Sequence, residues 1–73
     1  MKKFDWRENA CRVIRERVDG LPEYGLRNAT VMAIMNAATE AEAIGALEVT
    51  WQDEQTPEKV RKAIAVVLAV LRG

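Results

Sequence analysis

Cys11 is the only cysteine in a chain of 73 residues that contains neither histidine nor serine. A cysteine becomes a nucleophile when a nearby cation lowers its pKa and a base takes its proton. Arg7 and Arg12 lie close to Cys11 in sequence, but no base or third group accompanies them. The other hydroxyl nucleophiles are the threonines and Tyr24, and the commonest general acid/base, histidine, is missing. Cys11 falls at the edge of an apolar helical face near Val18 and reads as a small, half-buried hydrophobe. No catalytic residue is assigned, and an enzyme is not expected.

Two acidic pairs, Glu40/Glu42 and Asp53/Glu54, are the only local groups suited to a hard cation. They lack the alternating Asp/Asn ligands and central glycine of a calcium loop, so they read as solvated carboxylates. Gly20 and Gly25 bracket a turn without the pattern of a phosphate-binding loop. No metal and no cofactor are expected.

Charge is the strongest pattern in the chain. Residues 29–58 hold six acidic and no basic side chains, residues 1–28 seven basic and five acidic, and residues 59–73 four basic and no acidic. The formal net charge of zero thus conceals segments of +2, −6 and +4. Such a layout generates a field that selects partners.

These groups must be positioned by a very small fold. A chain this short buries only about 60% of its unfolded surface, and oligomerisation often assists domains of this size. A lone thiol without a signal-peptide pattern suggests a reducing, cytoplasmic setting. The longest apolar run, at 63–71, is far short of the ~20 residues that span a bilayer, so no membrane partner is expected.

The periodicity predicts an all-α fold: a compact bundle of three to four short helices in a single domain, with helices at about 6–19, 26–38, 40–52 and 57–72. Asp5 caps the first helix, and Gly20 stops it. Leu21–Gly25 reads as a turn or a single short helical turn. The second helix is apolar all round at Val31-Met32-Ala33-Ile34-Met35, as in a helix central to a core or an interface. Thr39 with Glu42 forms a capping box that starts the third helix. Asn36–Thr39 holds no strict breaker, so one continuous helix across this region is the alternative. Gly45 either weakens the third helix or marks a close helix crossing. Thr56 as N-cap and Pro57 at the first helical position start the fourth helix. Trp6 and Trp51 read as core residues at opposite ends of the apolar network.

The resulting functional reading is a small non-enzymatic protein–protein interaction module: an adaptor, small subunit or inhibitor that occupies a partner's surface. A bundle this small can bury one helix on all sides, and two are harder to bury. The surplus apolar residues Val66, Val70, Ala63, Val31, Ile34 and Met35 are therefore the candidate partner interface. A homodimer is the symmetric version of that contact. Glu40, Glu42, Glu48, Asp53 and Glu54 form the candidate acidic contact face, suited to a basic surface, including one that normally holds nucleic acid. The alternative reading is a nucleic-acid-binding regulator that uses Arg7, Arg12, Arg15, Arg17, Lys59, Arg61 and Lys62, with Lys2, Lys3 and Arg72 nearby. A helix-turn-helix is disfavoured, because its second helix would present Glu40, Glu42 and Glu48 to phosphate.

Overall fold

The computed structural model describes residues 5–18 and 24–72. Four helices occupy them: α1 (Trp6–Arg17), α2 (Tyr24–Asn36), α3 (Glu40–Gln52) and α4 (Glu58–Arg72). The all-α bundle expected from periodicity is the observed architecture. α1 packs on α2 and α4, and α3 packs on the same two helices, so the four close into a ring. Arg7 at the start of α1 reaches Ala37 beyond the end of α2, while Cys11 further along α1 meets Val31 further back. Those crossed contacts make α1 and α2 antiparallel.

Two helix starts follow directly from side-chain caps. The Asp5 carboxylate accepts from the backbone N–H of Arg7 at 3.1 Å and of Glu8 at 3.3 Å. The Thr39 hydroxyl accepts from Glu42 N–H at 3.2 Å, with Thr39 itself in extended backbone. This cap, rather than a breaker residue, separates α2 from α3.

The other boundaries shift for physical reasons. α1 ends at Arg17, because Val18 turns to extended backbone and becomes fully buried. The expected continuation to Asp19, the Gly20 stop and the turn at 21–23 lie outside the described residues. α2 begins at Tyr24 and ends at Asn36, two residues earlier at each end than its periodicity predicts. Thr56 is not the expected N-cap: the first bond of α4 runs from Arg61 N–H to Pro57 O, at 3.0 Å. The buried Thr56 hydroxyl instead donates at 2.7 Å to Thr50 O in the last turn of α3. It ties the end of α3 to the start of α4.

Ile14 and Val18 from the α1 segment, Val31 and Ile34 from α2, Leu47 from α3, and Val60, Ile64, Val67 and Leu68 from α4 fill the centre. Trp6, Val13, Ile44 and Leu71 pack against this core from partly buried positions. Ring closure gives every helix two neighbours and therefore a broad buried arc.

Gly45 lies on the exposed side of α3, and a Cβ built there would meet nothing within 4 Å. Among the described residues no close helix crossing explains it. Gly45→Ala is expected to raise stability by about 0.5–1 kcal/mol through helix propensity and reduced unfolded-state freedom. A higher urea midpoint at unchanged m-value is the confirming measurement.

Candidate protein-binding surface

Cys11 is 2% exposed, and its thiol points to Val31 O at 3.9 Å. Burial pushes its pKa up from 9.0, Arg15 opposes this, and Asp5 adds to it. The environment therefore suppresses the thiolate rather than activating it. Native protein is expected to react with Ellman's reagent far more slowly than unfolded protein. The native state holds the thiol proton more tightly than the unfolded state. The Cys11 contribution is thus constant below the usual thiol range and is lost as pH rises through the elevated native pKa. Comparing urea midpoints of wild type and Cys11→Ala across that alkaline range isolates the effect. Among the described residues, no group of three acidic or thiol ligands is placed to hold a metal ion.

The candidate basic contacts divide into two sets. Arg7 donates to the carbonyl of Ala37 and, at 3.4 Å, to that of Ala38. Its guanidinium also lies 4.6 Å from the centroid of the Trp6 ring. Arg61 donates from Nε to Trp51 O at 3.0 Å and sits 6.0 Å from the Trp51 ring centroid. Neither α2 nor α3 has a basic residue in its last turn. Arg7 and Arg61 therefore bring cations from neighbouring helices to those carbonyl-rich ends. Arg72 makes a third cross-helix contact, an ion pair with Glu48. These arginines are structural ties.

The remaining basic candidates lie on α1 and α4. Arg12 donates to Asn9, and Lys62 lies 3.7 Å from Glu58. Arg15 is exposed. Arg17, Lys59 and Lys62 line a groove of about 350 Å³ between the end of α1 and the start of α4, with Glu16 and Ala63.

The acidic candidates do not form one face. Glu40 and Glu42 are two positions apart and leave α3 on opposite sides. Glu48 is half-buried beside Arg72. Asp53 and Glu54 follow the far end of the helix, where the Asp53 carboxylate accepts from Gln55 N–H at 2.9 Å. Charge nevertheless segregates by half of the bundle, because the ring sets α1 beside α4 and α2 beside α3. Residues 5–18 with 58–72 carry eight basic and four acidic groups, whereas residues 24–57 carry one basic and five acidic. That single cation, Arg27, stacks 4.1 Å from the Tyr24 ring centroid.

Half of the candidate apolar interface is corrected. Val31, Ile34 and Ala63 are 6%, 0% and 0% exposed, because each points into the ring. Val66 is half-buried, leaving Met35 and Val70 as the large exposed members. The surplus predicted on α4 is mostly absorbed by its two neighbours. Trp51 departs from its expected core position in the opposite direction, at 41% exposure. It borders a groove of about 250 Å³ with Ala65, Leu68 and Ala69 of α4. Among the described residues, the exposed large apolar side chains are Tyr24, Leu26, Met32, Met35, Val49, Trp51 and Val70. All but Val70 belong to α2 or α3. Met32, Val49 and Trp51 were not among the interface residues read from sequence. Position 49 falls opposite Ala43 and Leu47 on a helical wheel, which was the available signal.

Among the described residues the fold is a small all-α helical bundle whose acidic half also carries most of the exposed large apolar side chains. No helix among the described residues is long and apolar enough to cross a membrane. No family model, curated protein or solved structure matches the chain.

Proposed function

We propose that the protein is a small non-enzymatic interaction module that occupies a partner protein through the outer surface of α2 and α3. The observation that supports this reading is the placement of six of the seven exposed large apolar residues on those two helices. Large apolar side chains left exposed are candidate anchors for a partner, and tryptophan is enriched among binding hot spots. The test places a photo-crosslinking residue at Val49 or at Arg12 and irradiates cells of the native host. A discrete protein adduct at position 49, abolished by Met32→Glu and absent from position 12, is expected. Adducts that do not depend on position would remove the reading.

The basic groove between α1 and α4 favours a second reading, a nucleic-acid-binding regulator that uses Arg17, Lys59 and Lys62. It ranks behind the first because Glu16 lines the same groove and Lys62 lies beside Glu58. A gel shift that persists from low to moderate salt and is lost on Lys59→Gln with Lys62→Gln would reverse the order.

A further inference from the structure

We draw no further inference here: the strongest candidate, the groove between α3 and α4 lined by Trp51, Ala65, Leu68 and Ala69, carries nothing, because nothing in the structure shows what covers it.

Discussion

Ile34→Ala is expected to cost about 2–5 kcal/mol, whereas Met32→Ala, two residues away on the same helix, should stay within about 0.5 kcal/mol. Ile34 is 0% exposed and belongs to the central cluster; Met32 is 55% exposed. Truncating Ile34 forfeits its transfer free energy and leaves a void that a closed ring of four helices can only partly collapse. A domain of 73 residues has a total stability on the order of 4–11 kcal/mol, so one such void removes much of it. The checking measurement is urea denaturation of both variants, monitored by far-ultraviolet circular dichroism. Similar costs at the two positions would mean that α2 does not present the face described.

The contrast between these neighbours also marks the limit of what the chain discloses as a sequence. Helix content was legible wherever a polar cap punctuated an apolar stripe. Asp5 and Thr39 both cap as their positions suggest, and α3 occupies the residues its pattern predicts. α2 was legible as a helix but not in its orientation. With Val31, Met32, Ala33, Ile34 and Met35 all apolar, hydropathy cannot say which face turns inward. Packing decides, and it buries Val31 and Ile34 while leaving Met32 and Met35 out. The same ambiguity placed Val31, Ile34 and Ala63 on the candidate interface. Trp51 was misplaced for a different reason. It falls on the apolar stripe of α3 but one residue from its end, where the flanking chain provides little cover.

Charge segregation was visible at once as a count, but its spatial meaning depended on topology. A ring that set α1 opposite α4 would have interleaved basic and acidic helices and cancelled the pattern. The observed neighbours instead preserve it across the bundle. Part of the basic set is then withdrawn from solution to hold the fold. Arg7 and Ala37 are 30 positions apart, a separation no local pattern can anticipate. The alternation of like and unlike neighbours therefore has two consequences. It ties the helices together through arginine, and it leaves exposed carboxylates and exposed apolar side chains on the same pair of helices, α2 and α3.

Arg7→Met is expected to destabilise the fold by about 2 kcal/mol, the scale of a partly buried hydrogen bond from a charged donor. The guanidinium satisfies carbonyls of Ala37 and Ala38, just beyond the last turn of α2, where that helix has no basic residue of its own. It also covers the Trp6 ring, adding a cation–π contact. Methionine retains most of the apolar stem, so the loss reports the charge and the hydrogen bonds rather than packing. Arg7→Lys should recover only part of it: an ammonium keeps the favourable charge at the helix end but lacks the planar fork. For a domain of this size each kcal/mol moves the melting temperature by about 4–8 °C, so the methionine variant should melt roughly 8–16 °C lower. The lysine variant should fall between it and wild type. Helix α2 supplies the local signature. Amide exchange in its last turn should accelerate more than in α4 if Arg7 holds that end of the helix. Unchanged exchange there, with or without a change in melting temperature, would show that the connection to α3 is fixed by the Thr39 cap alone.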